Sequence, residues 1–249
     1  MTKHFLCRGP RLWAQGLVLF VLRLIQLRTG FDPETGLSLP SLAGTLLAAA
    51  LAVCALAELA LCLRLPRENV SFTEQFTPPE KSMPALVAGC FLLAAGGALL
   101  LAAALPGRGI AAMVTGVLAL AAGGGFLLLI RQFRSGEEPT VFPILPAMFF
   151  SVFFLLSAYL PADSDPVLAR FYLPVLAAAA TAFAFSDLAG FLRRESSPRR
   201  FLWTAECAVT LCIAALADAL TSPGKFLLYA GCALLLSVFL LLLRRGEDA

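Results

Sequence analysis

Eight apolar stretches, each about 20 residues long, alternate with short polar segments along the whole chain. They fall at residues 12–29, 42–63, 85–105, 109–130, 142–160, 168–192, 201–221 and 225–243, and each is long enough to cross the hydrocarbon core of a bilayer as an α-helix. The separators carry turn chemistry: Asp32-Pro33 with Thr35-Gly36, Pro78-Pro79, Pro106-Gly107, and the Pro161 to Pro166 segment. The pattern predicts an all-α integral membrane protein with eight transmembrane helices, built as one transmembrane domain over residues 1–249.

The polar residues inside the stretches refine this picture. In the first, Gln15, Arg23 and Gln26 fall within roughly 80° on a helical wheel, a stripe suited to facing other helices. Arg8 and Arg11 extend that stripe, so a helix lying in the membrane plane is the alternative; Leu12, Leu19 and Leu22 interrupt the polar face that such a helix would keep. Arg23 to Arg28 stands where a signal peptide would need a small-residue cleavage site, so the stretch reads as an uncleaved helix. The third and fourth stretches are rich in small residues, with Gly89, Ala94, Gly96 and Gly97 in one and Ala111, Thr115, Ala119 and Gly123 at four-residue spacing in the other. These rows predict close helix packing rather than a phosphate-binding loop, which would need strand context. The fifth is dense in phenylalanine, with Pro143 and Pro146 shaping its start.

Composition agrees with the pattern: 59% of residues are hydrophobic and 14% charged, against an apolar share of about 45–50% in soluble domains. The net charge of +3 does not point to nucleic acid, because the arginines sit at helix ends rather than in one patch. Six of the seven cysteines (Cys54, Cys62, Cys90, Cys207, Cys212 and Cys232) lie in apolar stretches without a Cys-x-x-Cys, and the one histidine is His4. A metal site or a histidine-based triad in the membrane is therefore not expected, nor is any cofactor.

Charge does set orientation. With the N-terminus in the cytoplasm, Lys3, Arg8, Arg11, Arg64, Arg67, Lys81, Arg131, Arg134, Arg193, Arg194, Arg199, Arg200, Arg244 and Arg245 fall inside. Only Arg28, Arg108, Arg170 and Lys225 fall outside. Both termini are then cytoplasmic, and the expected location is the cytoplasmic membrane. A 4+4 parallel internal repeat is also readable, with halves 1–135 and 136–249. Residues 55–64 align without a gap on residues 184–193, placing Glu58 opposite Asp187; Asp32 and Asp163 each follow the first helix of their half.

Three carboxylates in this apolar background are the candidate site. Glu58 lies six residues from Arg64, Asp187 six from Arg193 and Glu206 six from Arg200, about 9 Å from the cytoplasmic helix ends in each case. Burying an ionisable group at that depth costs roughly 2.5–3.5 kcal/mol, so each acid needs a proton, a partner or a polar cavity. Facing inward, they would form a tier able to bind a proton, a cation or a small polar solute; facing their local arginines, they would be structural. Arg23 and Asp218 are a further candidate pair nearer the outer face, roughly 18 and 27 Å from their inner helix ends.

Three functions follow as expectations. The first is a small transporter or permease-like protein using Glu58, Asp187 and Glu206, supported by their matched depth, Pro174 and the glycine-rich helices. The second is a lipid-directed enzyme. Ser186-Asp187 near a helix end, followed by a basic turn and another helix, resembles the eight-helix lysoplasmalogenase family, in which acidic residues recur in two helices four apart. The resemblance covers about thirty residues and implies a carboxylate acid–base hydrolase near the headgroups. Glu58 follows Ala57 where that family's pattern has Gly-Asp, and no catalytic role is carried over to this chain. The third is a non-catalytic membrane subunit or scaffold, with a homo-oligomer or a second membrane chain as partner. The lipid bilayer is the one partner common to all three.

Overall fold

The computed structural model describes residues 8–32, 39, 41–63, 71–76, 82–107, 109–136, 139–164 and 172–243. Eight long helices account for nearly all of them: α1 (Arg8–Thr29), α2 (Leu42–Cys62), α3 (Met83–Gly107), α4 (Ile110–Ser135), α5 (Leu145–Ser164), α6 (Tyr172–Leu192), α7 (Pro198–Ala215) and α8 (Pro223–Leu242). Their ends follow local chemistry. Ser41 caps α2 by accepting from the Gly44 amide at 3.1 Å. Ser-Pro pairs start α7 and α8, where proline at the first helical position sacrifices no hydrogen bond. A 3₁₀ turn at Phe142–Ile144, with Pro143 inside it, leads into α5, and α4 stops at Gly136 with φ +75°.

Seven helices, α1 to α6 and α8, are long and apolar enough to cross a membrane. The chain is a helical, polytopic membrane protein by this measure, and exposed Leu17, Val21, Val53, Leu56, Phe91, Leu128, Phe149 and Phe183 form an outward apolar belt on six of them. The exception corrects the seventh predicted span. It ends at Ala215 rather than 221, has 18 residues and carries Arg199, Arg200 and Glu206. From there the chain tightens: the amides of Ala217, Asp218 and Ala219 bond to the carbonyls three residues earlier. Most of α7 is buried, so protein rather than lipid surrounds Glu206, while Arg199 and Arg200 at its start keep exposed surface.

Helix neighbours define a ring and an arm. Helix α7 packs on α8, α8 on α3, α3 on α4, α4 on α5, α5 on α6 and α6 back on α7, which closes six helices in a circle. Outside it, α1 lies along α7, and α2 packs on α1 and α7. The expected small-residue packing is present where the backbones come closest. A Cβ on Gly97 would sit 2.6 Å from the Gly116 carbonyl oxygen, and one on Gly96 would sit 2.9 Å from that of Gly224, so neither position admits a side chain.

Rings of phenylalanine fill the circle. Phe126 stands edge-on to Phe185 at 5.2 Å between centroids, and Phe154 lies 4.9 Å from Tyr229. One end is plugged by the one-turn helix Phe72–Gln75 and the following Phe76, which is fully buried against Phe191, Phe201 and Phe239. Phe76 also forms an isolated antiparallel bridge with Leu243. The charged positions Lys3, Arg64, Arg67, Lys81, Arg108, Arg170, Arg244 and Arg245, and most of the 31–36 turn, lie outside the described residues.

Candidate functional site

The three carboxylates lie on two sides of α7. Asp187, buried near the end of α6, accepts from the Thr204 hydroxyl at 2.8 Å through Oδ2, while Nε of Arg200 lies 2.6 Å from Oδ1. Both partners come from α7, so this acid belongs to the α6–α7 seam. Its arginine is Arg200 rather than Arg193, the nearest in sequence along its own helix. Glu206 follows Thr204 by two residues, about 200° around α7, and so faces the arm.

On that side Glu206 meets the end of the helix that carries Glu58. Cys62 Sγ lies 3.9 Å from Glu206 Oε2, and Cys62 is one turn beyond Glu58 on the same face of α2. Cys207 is within electrostatic reach of both acids and of Cys54. Glu58 is 1% exposed and accepts from Arg11 Nη2 at 2.6 Å; Arg64, its expected partner, lies outside the described residues. That bond engages only Oε2. Among the described residues, Glu58 Oε1, Gln15 Oε1 and Arg11 Nε are all buried without a hydrogen-bond partner.

At the opposite end of the bundle, Arg23 is fully buried on α1 and forks onto Asp218, with Nη2 2.6 Å from Oδ1 and Nε 3.0 Å from Oδ2. Its remaining nitrogen Nη1 donates to Gln26 Oε1 at 2.7 Å, and Tyr172 contributes a hydroxyl to Gln26 at 3.4 Å and a ring face under the guanidinium. This network ties α1 to α6 and to the turn after α7.

The chain thus has a satisfied polar knot at one end and, where α1, α2 and α7 meet at the other, a buried polar seam with spare acceptors among the described residues. Asp187 is separated from that seam by α7 itself. Arg11 joins Glu58, Cys62 joins Glu206, Gln15 lies one turn from Arg11 on α1, and Thr204 joins Asp187, although none was singled out in sequence as a site residue. The signal for Arg11 and Gln15 was the polar stripe of the first helix, in which they are one turn apart. Thr204 gave none, since threonine is common in membrane helices. Among the described residues no cluster of His, Cys, Asp and Glu has the arrangement of a metal site.

Compared with known proteins, the chain matches no family model, no curated protein and no solved structure.

Proposed function

We propose that this protein is a small permease-like membrane protein that binds a proton, a cation or a small polar solute in the seam between α1, α2 and α7, with Glu58 and Glu206 as the binding carboxylates. The observation that carries this reading is the spare acceptor set: Glu58 Oε1 and Gln15 Oε1 are both buried and neither receives a hydrogen bond among the described residues. A buried acceptor left unsatisfied costs about 1–3 kcal/mol, which a bound proton, hydronium, ammonium or hydrated cation would recover. Arg11 neutralises Glu58 from the rim with a partly exposed side chain, a partner that can be exchanged for another cation. Asp187, held by Arg200 and Thr204, has a positioning role at the α6–α7 seam.

The same reading takes α7 as an eighth span sheltered by its neighbours, both termini in the cytoplasm of a cell with this protein in its cytoplasmic membrane, and the two halves as copies. Support for duplication is the ungapped match of residues 55–64 with 184–193, which puts Glu58 and Asp187 near the end of the second helix of each half.

Solute- or proton-coupled flux in proteoliposomes tests the proposal. Glu58→Gln and Glu206→Gln should each reduce flux at least tenfold, with Arg193→Gln at the exposed α6–α7 turn as a control. Undiminished flux in both amides would sink it. Release of lipid products by the purified protein, lost in Asp187→Asn, would instead place the chain among lipid-directed enzymes.

A further inference from the structure

A groove of about 360 Å³ runs along the outer face of the α3–α4 hairpin, away from the carboxylates, lined by Met83, Leu127, Ile130, Arg131, Arg134 and Ser135. Its lining is ordered along the helix. Leu127, Arg131 and Arg134 recur at four- and three-residue spacing, one face of α4, with the apolar residues toward the middle of the helix and the arginines at its end. Gly124 continues the face one turn further in, where an added Cβ would meet nothing within 4 Å. Charged end, apolar middle and open furrow follow the order of polarity in a membrane lipid.

Arg131 and Arg134 are exposed, and neither has an ion-pair partner among the described residues. Two exposed guanidinium groups one turn apart match one anionic headgroup, because each offers several donors in a plane. The start of α3 at Met83 adds the positive end of a helix dipole to the same rim. The Ser135 hydroxyl is taken by the Gln132 carbonyl, which leaves the arginines as the recognition groups.

We infer that this groove is a binding site for an anionic glycerophospholipid, its phosphate between Arg131 and Arg134 and an acyl chain laid over Leu127 toward Gly124. A zwitterionic headgroup would bring its own ammonium up to two guanidinium groups of the same sign, which offsets the attraction to its phosphate. The inference is independent of flux through the carboxylate seam, so either can fail alone.

Native mass spectrometry of the protein released from bilayers of equal phosphatidylglycerol and phosphatidylcholine tests it. Wild type should retain phosphatidylglycerol in preference. Arg131→Gln/Arg134→Gln should lower that retention by about tenfold or more, at roughly 1 kcal/mol per basic residue near an anionic surface. Gly124→Phe, which fills the furrow without touching an arginine, should also lower it. Equal retention of the two lipids, unchanged retention in the double variant, or an equal loss in the control Arg193→Gln/Arg199→Gln at the α6–α7 turn would overturn the site. So would displacement of the lipid by millimolar inorganic phosphate, since the acyl track would then contribute nothing.

Discussion

Arg23 is the most demanding residue in the chain, a guanidinium with no exposed surface in a helix of a membrane protein. Desolvating it costs several kcal/mol, offset only because all of its directions are used: the fork to Asp218, the bond to Gln26 and the ring of Tyr172. Removing one member leaves the other charge stranded. Arg23→Met should therefore lower stability by about 3–5 kcal/mol in SDS-titration unfolding, and Arg23→Met/Asp218→Asn should recover a good part of that loss. Strictly additive losses would mean the two groups do not act as a unit. Sequence spacing set these residues near one another in depth but left a gap of about 9 Å between them. The gap came from measuring each helix from its own basic residues, whereas register is set by contact, with Gly16 of α1 closing directly onto Ile213 of α7. The same blindness applied to Asp187, which lies close to Arg193 in sequence yet takes Arg200 from the neighbouring helix, because the partner depends on which faces meet. Glu58 bonds Arg11 of α1, with Arg64 outside the described residues.

At the scale of single elements, starts were more legible than ends. Ser197-Pro198 and Ser222-Pro223 stand at the starts of α7 and α8 because the fixed φ of proline suits only the first turn, and at α7 the Ser197 hydroxyl also caps it. The end of α7 carries no such sign: residues 216–221 remain mostly apolar while the backbone changes to three-residue bonding. The end of α6 hides differently. Glu195 donates to the Gly190 carbonyl and Arg194 to that of Phe191, a Schellman closure with Arg194 at φ +59° where glycine is usual. The plug helix is held by a reciprocal cap, with the Ser71 amide donating to Glu74 Oε2 at 2.9 Å. Hydrogen bonds from Ser71, the backbone one first, lower the Glu74 carboxyl below its ordinary value of 4.5. A folded-state value below the unfolded one means that the cap stabilises above the ordinary value and fades as pH falls through the lowered one. The midpoint difference between wild type and Glu74→Gln should accordingly be present at neutral pH and shrink below pH 4.5. A difference that is flat with pH would remove the charged cap as its cause.

The whole molecule divides by what holds it together. In lipid there is little hydrophobic drive between helices, so attachment depends on close packing and polar bonds. The six-helix ring has close packing, through the α3–α4 and α3–α8 glycine contacts and the phenylalanine interior. The arm has less of it, since α2 buries only Leu47, Glu58 and Cys62 and shares with α1, α6 and α7 a small separate cluster of Leu19, Leu47, Leu173 and Ala214. Helix α2 should therefore open locally from α1 and α7 before the ring unfolds, at a free energy set largely by the Arg11–Glu58 bond that ties it to α1. The buried cysteines report this without added labels: Cys62 faces the seam, and Cys232 lies deep in α8. In detergent at neutral pH, a maleimide should modify Cys62 well before Cys232. Because a hydrogen bond to a charged group contributes about 1.5–3 kcal/mol, Glu58→Gln should speed Cys62 roughly tenfold or more while leaving Cys232 unchanged. If both thiols accelerate together, ring and α2 form one cooperative unit, and a seam that opens independently of the ring would no longer be available to a permeating ion.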